Sequence, residues 1–493
     1  MLNKLTDKLH LPKWICIFLF LILLLRIPSF FEPYFYGDEM IYMTLGQGIR
    51  QGIPLYKGVY DNKPPLLYIM AAIAGNLFWF KVILAFANII SIYFFWKLSE
   101  ILFPKKNLLH KISTIIFGLL TTLPLLEGNI VNAELFMVTP IIVSLIIIFS
   151  KKNNFKNLFI AGSLFSIASL FKMPAFFDLP AVIFFWLIYS ISKKTNFILF
   201  IKKTVYLLTG FTIPILLSFI WFYIQGSLKD YAFAAYLQNV GYLSSWRPSD
   251  TQKPFFIKNL PLLTRGFIIL LSSILLYFKR KKLSKNFIFI TLWLLFALFG
   301  VTLSERPYPH YLIQAVPAIS LLIGMLFTEK SIEQSLTLIP LTIAFFVPVF
   351  FNYYHYPTLS YYSRFVNLLS GKISKKEYLL SFDENAIRNY DISSFLVSSM
   401  DKKEKVLVTG DSATIYALSR KLPPIKYVAD YHINDYSSLQ NEVDLLSQDL
   451  PRFIILLPQK MNLTPLIPVI RLNYILVSEI DGVEIWKISS LNR

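Results

Sequence analysis

From Trp14 to Phe351 the chain is a succession of apolar runs broken by short polar loops, and the long runs without charges predict helices that cross a bilayer. The runs lie at 14–31, 82–103, 112–126, 135–150, 158–171, 174–191, 204–224, 260–278, 286–304, 311–327 and 334–351, which makes about eleven transmembrane helices. A further run, 66–80, has 15 residues and starts beside Pro64 and Pro65. At 1.5 Å per residue it reaches about 22 Å against a hydrocarbon core of about 30 Å. Loop charge decides how it sits. With 66–80 lying at the interface, one side collects Lys4, Lys8 and Lys13, then Lys105, Lys106 and Lys111, Lys151, Lys152 and Lys156, Lys193, Lys194, Lys202 and Lys203, the run Lys279 to Lys282, Lys285 and Lys330, while the 127–134 loop has no basic residue. That is the positive-inside pattern, with the N-terminus cytoplasmic. The basic start and the absence of a small-residue cleavage site make the first run a retained helix.

After Tyr356 the pattern changes to that of a soluble α/β domain. A helix is expected near Asn385–Met400 and a strand at 405–410. Asp411 and Ser412 would cap a helix through Leu418. Strands follow at 425–429, 453–458, 474–478 and 483–488, with a helix near 436–447; the alternation predicts a mostly parallel sheet. The expected domains are a cytoplasmic N-terminus at 1–13, a membrane module at 14–351 that includes outer loops 32–81 and 225–259, and an extracytoplasmic domain at 352–493.

Composition supports a multi-pass membrane protein: 55% of residues are hydrophobic, 16% aromatic and 16% charged. The net charge of +19 would suggest nucleic acid in a soluble chain. Residues 356–493, however, carry 16 Lys and Arg against 15 Asp and Glu, so the excess sits in the short membrane loops and no nucleic-acid partner is expected. The single cysteine, Cys16, excludes an internal disulfide and a cysteine metal cluster. Gly410-Asp411-Ser412 has neither the GxGxxG nor the Walker lysine of a nucleotide site, so the C-terminal domain is expected to cap the outer face or to help hold an acceptor.

The candidate chemistry gathers in loop 32–81. Asp38 and Glu39 follow the first span and are candidate bases. Lys63 precedes two prolines that restrict its backbone, so its ammonium would be held in place at the headgroup level, where it suits a lipid phosphate. A solvated loop start and a snorkelling lysine are the plainer readings of these groups. Loop 225–259 carries Tyr231, Tyr236, Tyr242, Trp246 and Arg247, suited to stacking on sugars or to an interfacial belt.

Gly37-Asp38-Glu39 with Tyr42, Gly52-Ile53-Pro54-Leu55-Tyr56 and Asp61-Asn62-Lys63-Pro64-Pro65-Leu66 together resemble the first outer loop of GT-C glycosyltransferases. The nearest branch is that of bacterial relatives of dolichyl-phosphate-mannose protein mannosyltransferases and lipid A aminoarabinose transferases. The resemblance implies transfer of a monosaccharide from a polyprenyl-phosphate donor lipid to an acceptor hydroxyl of a glycan, lipid or protein at the outer face of the cell membrane. It makes Asp38 the catalytic base, with Glu39 beside it. Lys63 becomes the donor-phosphate ligand, joined by Arg306, His310 and Tyr311 of the SERPYPHY segment. Tyr42, Tyr56, Asp61, Asn62 and Glu134 become lining residues. No cofactor is required. The aminoarabinose branch binds zinc through a glutamate before the lysine and a histidine; Asn62 stands at that position, which leaves Asp61 with His310 as the substitute pair for a divalent metal. The rival readings are a secondary transporter, which needs ionisable residues at mid-span, and an outer-face lipid-glycan polymerase or ligase. A non-catalytic scaffold is the third.

Overall fold

The computed structural model describes residues 12–191, 194–242, 254–410, 413–458 and 465–489. Each of the eleven apolar runs falls on a helix. Seven are long and apolar enough to cross a membrane, from Lys13–Phe31 to Ile332–Phe350, and four shorter apolar helices, Asn107–Leu120, Phe155–Phe171, Lys285–Val301 and Val316–Thr328, account for the rest. The protein is a multi-pass α-helical membrane protein. Segment 66–80 is not one piece. Its helix, Leu66–Ala74, stops at Gly75 in the left-handed region (φ 70°), and a new helix, Leu77–Leu102, starts two residues later. The last four residues of the predicted interfacial run, 77–80, therefore belong to a span.

The chain forms two compact units. Residues 28–81 and 222–234 belong with 359–493, whereas 1–27, 82–221 and 235–358 form the other.

In the first unit the Lys285–Val301 helix is buried along nearly its whole length. Its Trp293 indole donates to Asp178 Oδ1 at 2.6 Å, and Gln314 Nε2 donates to Asp178 Oδ2 at 2.7 Å, so a carboxylate placed among apolar helices has its lone pairs satisfied. Helices Phe155–Phe171 and Lys194–Ile224 touch backbone to backbone: a Cβ on Gly162 would lie 2.0 Å from the Leu207 carbonyl oxygen, and Ser163 Oγ donates to the Gly210 carbonyl at 3.1 Å. Small residues permit this approach, which in lipid gains from close van der Waals packing and from interhelical hydrogen bonds.

In the second unit the Gly37–Arg50 helix packs on Leu66–Ala74, with Gly46 against Ala71, and on Ala413–Ser419. Four strands, β1 (Val406–Thr409), β2 (Phe453–Leu456), β3 (Tyr474–Ile480) and β4 (Val483–Ile488), form one sheet in the order β1-β2-β4-β3. Only β1 and β2 are parallel; β4 is antiparallel to both β2 and β3. The expected mostly parallel sheet is thus corrected. Asp481 and Gly482, at φ 47° and 75°, close a two-residue hairpin, and so short a connection can join only antiparallel strands. The expected strand at 425–429 is a single bridge, Tyr60 to Tyr427, because its backbone pairs with the 55–60 loop rather than with the sheet. The helix expected near 436–447 is Leu439–Leu446, and a further short helix, Asp430–Tyr436, precedes it across Ser437 and Ser438. Asp411 and Ser412 lie outside the described residues, as do Lys4, Lys8, Lys193, Trp246 and Arg247.

Candidate functional site

The Gly37–Arg50 helix begins directly after Tyr36 and carries Asp38 and Glu39 in its first turn, where carboxylates oppose the positive end of the helix dipole. Consecutive residues on a helix point about 100° apart, and that angle separates the two acids. Asp38 stays one-third exposed. Glu39 is fully buried, with its Oε1 2.7 Å from Lys81 Nζ, and Lys81 also lies 2.7 Å from Glu32 Oε2. The Tyr361 hydroxyl donates to the other Glu32 oxygen at 2.5 Å. Glu39 is therefore a member of a buried charge cluster with Lys81 and Glu32.

One turn along, the Tyr42 hydroxyl donates to Asp38 Oδ2 at 2.7 Å. The Lys63 ammonium sits 3.4 Å from the same oxygen, 3.7 Å from Asp61 Oδ2 and 4.9 Å from the centre of the Tyr42 ring. Its side chain is about one-fifth exposed. The backbone of Lys63 is clamped from both sides: its N–H donates to the Tyr68 hydroxyl at 3.0 Å and its carbonyl accepts from the Tyr56 hydroxyl at 2.8 Å. Tyr56 is held in turn by a left-handed backbone (φ 69°), a 2.7 Å hydrogen bond from its N–H to Val59, and rings of Phe222 and Tyr231 5.3 and 5.4 Å away. Tyr231 is itself fully buried and stacked on Phe222, so it is core rather than the open sugar-stacking surface expected of loop 225–259.

Asp61 is buried beneath Lys63. It accepts from the Tyr68 hydroxyl at 2.8 Å and from the Asn62 N–H at 2.8 Å, and His432 Nε2 lies 3.5 Å from Oδ1. Burial pushes its carboxyl up, but the Lys63 ammonium, His432 and the Asn62 N–H together outweigh that and hold it below the usual carboxylate range. The phenols of Tyr42 and Tyr68 move the other way. Burial raises both, and for each a neighbouring carboxylate, Asp38 first for Tyr42 and Asp61 for Tyr68, adds to the shift, so both keep their protons as hydrogen-bond donors. Asn62 Nδ2 points to the Tyr436 hydroxyl at 3.5 Å.

The remaining expected residues lie in the first unit. Glu134, in the first turn of the Ala133–Ser150 helix, pairs with Lys172, whose ammonium sits 3.8 Å over the Tyr311 ring. His310 bonds Glu127 through Nδ1 and lies 3.7 Å from Glu134 through Nε2. Tyr356 also bonds Glu127, and burial followed by that carboxylate raises its phenol. Arg306 is exposed, its N–H donating to Ser304 Oγ at 3.4 Å. Asp61 and His310, the substitute metal pair, stand in separate units, each with partners of its own. Among the described residues no three His, Cys, Asp or Glu side chains are grouped to hold a metal ion. The donor set does not fit the implied zinc, since Asn62 offers an amide engaged with a phenol.

No protein-family model matches this sequence, and no curated protein does. Its fold, however, matches the crystal structure of ArnT from Cupriavidus metallidurans bound to undecaprenyl phosphate over 97% of this chain and 99% of that one, with a TM-score of 0.57 at 14% identity. The apo state of ArnT gives 0.55 over 96% and 97%, again at 14% identity. The fold is of the GT-C type. A GT-C fold agrees with the resemblance carried by the DE…KPP loop, and the match runs through the C-terminal domain as well as the membrane helices.

Sequence reasoning missed Lys81, Glu127, Lys172 and His432. Lys172 and Glu127 could have been found as charges at the very ends of apolar runs. Lys81 sits on the seam between two runs and looked like a boundary. His432 had no signal at all, being a lone histidine on a short helix some 370 positions from its carboxylate.

Proposed function

We propose that this protein is an integral-membrane glycosyltransferase that moves a monosaccharide, a hexose or a pentose, from a polyprenyl-phosphate donor to an acceptor hydroxyl on the outer face of the cell membrane. The observation that carries the reading is the pairing of a partly exposed carboxylate, Asp38, with a backbone-clamped lysine, Lys63, 3.4 Å away, in the loop that follows the first span. The GT-C fold supports it, and ArnT was crystallised with undecaprenyl phosphate.

In this mechanism Lys63 faces the donor phosphate and neutralises the charge that grows as the sugar C1–O bond breaks. Asp38 accepts the proton of the acceptor hydroxyl as its oxygen bonds to C1. The electron pair of the broken bond leaves with the phosphate, and the proton on Asp38 is returned to solvent. Tyr42 holds the carboxylate rotamer so that the base is in place before the acceptor arrives. Between turnovers Asp38 and Asp61 balance the Lys63 charge; an incoming phosphate competes for that ammonium and frees Asp38 to act on the acceptor. Arg306, His310 and Tyr311 are proposed as further donor-phosphate ligands and Glu134 as a lining residue. The acceptor classes are protein, lipid A and cell-surface glycan.

The test is transfer of radiolabelled sugar from crude polyprenyl-phosphate-sugar lipids in membranes, with Asp38→Asn and Lys63→Ala compared with wild type at matched expression. Loss of label in both variants is the expected result, and the labelled product identifies the acceptor. Transfer by both variants at the wild-type rate would overturn the assignment.

A further inference from the structure

We infer that the Thr358–Leu369 helix, at the head of the C-terminal domain, is a docking surface for the anionic lipid headgroups of the outer leaflet. This inference concerns membrane contact and does not depend on sugar transfer.

The helix is amphipathic. Tyr361 and Phe365, one turn apart, are buried, whereas Leu359, Val366 and Leu369 are 84%, 60% and 68% exposed on the full chain. With the half-exposed Tyr362 they form a stripe at spacings of three, four and three, which is the geometry of one helix face. A soluble domain would not leave such a stripe in water without something to cover it.

The buried face shows what lies alongside. Phe365 packs on Phe31, the last residue of the Lys13–Phe31 span, with ring centres 5.3 Å apart. Tyr361 donates to Glu32, which is paired with Lys81, four residues into the Leu77–Leu102 span. Phe30 in turn meets Phe78, which meets the exposed Trp79 at the head of that second span. Phe31 touches this helix directly and Lys81 is linked to it through Glu32, and the aromatic residues around them mark the headgroup level. A helix fixed at that level has the exposed Leu359, Val366 and Leu369 at the headgroup–acyl boundary.

Charge supplies the second observation. The helix leads into an exposed segment with Lys372, Lys375 and Lys376. Its acidic neighbour Glu377 is engaged in a capping box with Ser374, accepting from that backbone N–H at 2.6 Å. An apolar stripe continued by exposed lysines is the composition that binds anionic leaflets.

The experiment uses the full chain with Cys16→Ser, reconstituted in vesicles, with one cysteine at a time introduced by Leu359→Cys, Val366→Cys or Leu369→Cys and carrying an environment-sensitive fluorophore. Gln440→Cys, exposed on another helix of the domain, is the reference. The three stripe positions are expected to shift to the blue and to be quenched by phospholipids brominated near the headgroup, with Gln440→Cys unaffected. Stripe positions as polar and as unquenched as Gln440→Cys would overturn the docking surface. With Val366→Cys, the blue shift should be larger in phosphatidylglycerol vesicles than in phosphatidylcholine, and Lys372→Gln, Lys375→Gln and Lys376→Gln combined should abolish the difference. Identical shifts in both vesicle types with the lysines intact would overturn the anionic-headgroup assignment.

Discussion

The Tyr42 hydroxyl donates to Asp38 Oδ2 across one helical turn, at 2.7 Å. Burial and the Asp38 charge raise the Tyr42 phenol, so it remains a donor throughout the physiological range. A hydrogen bond to a charged group contributes about 1.5–3 kcal/mol. Tyr42→Phe keeps the ring over Lys63 and removes only that bond, and should lower kcat roughly 10- to 100-fold, with a loss of stability no larger than that contribution. An unchanged kcat would mean that the base does not depend on Tyr42 for its orientation.

Glu39 and Asp38 are neighbours in sequence with opposite environments, and their amides should separate the two roles. Asp38→Asn should abolish transfer while the protein stays folded, because its carboxylate lies at a partly exposed edge. Glu39→Gln should act mainly on stability, lowering the melting temperature in detergent while the folded fraction keeps its specific activity. Equal losses of specific activity in both would restore Glu39 to the chemistry.

Lys81 stands between two carboxylates with no exposure of its own. Removing one partner of a buried ion pair costs about 3–5 kcal/mol, and Lys81→Met leaves two carboxylates facing each other. Severe loss of folded protein is expected from Lys81→Met and partial recovery from Lys81→Arg, followed by size-exclusion chromatography and thermal melting. Lys81→Met that melts like wild type would show that Glu32 and Glu39 are stabilised by other groups.

Asp61 ties loop 55–63 to the helix that carries His432, and its carboxyl lies below the ordinary range when folded. A group whose folded pKa is depressed contributes stability that is present above its unfolded pKa, near 3.9, and is lost as pH falls toward the folded value. Wild type should therefore lose stability on acidification below about pH 4, and Asp61→Asn, already destabilised at neutral pH, should lose less over the same interval. Parallel melting curves for the two proteins against pH would dissociate Asp61 from the acid response.

The residues divide by the range of the forces that place them. Apolar runs without charges determined the membrane helices, since burying a backbone in lipid leaves few alternatives to a helix, and the loop lysines determined their expected orientation. The DE…KPP resemblance pointed to Asp38 and Lys63, which lie in one loop and are therefore legible together in the sequence. Short-range signals also located β1 and the β3–β4 strands. They missed the strand directions, although the two-residue Asp481-Gly482 connection between β3 and β4 is itself an antiparallel-hairpin signal.

Only the tertiary structure separated Asp38 from Glu39, by the helical angle that turns one toward Lys63 and the other toward Lys81. Only it brought His432 and Tyr436 to the Asp61–Asn62 loop and Glu127 to His310, pairs separated by more than 180 residues in the chain. Such partners have no trace in local composition: a buried charge needs a counter-charge or a donor, but any residue that the fold brings within a few ångströms can supply it.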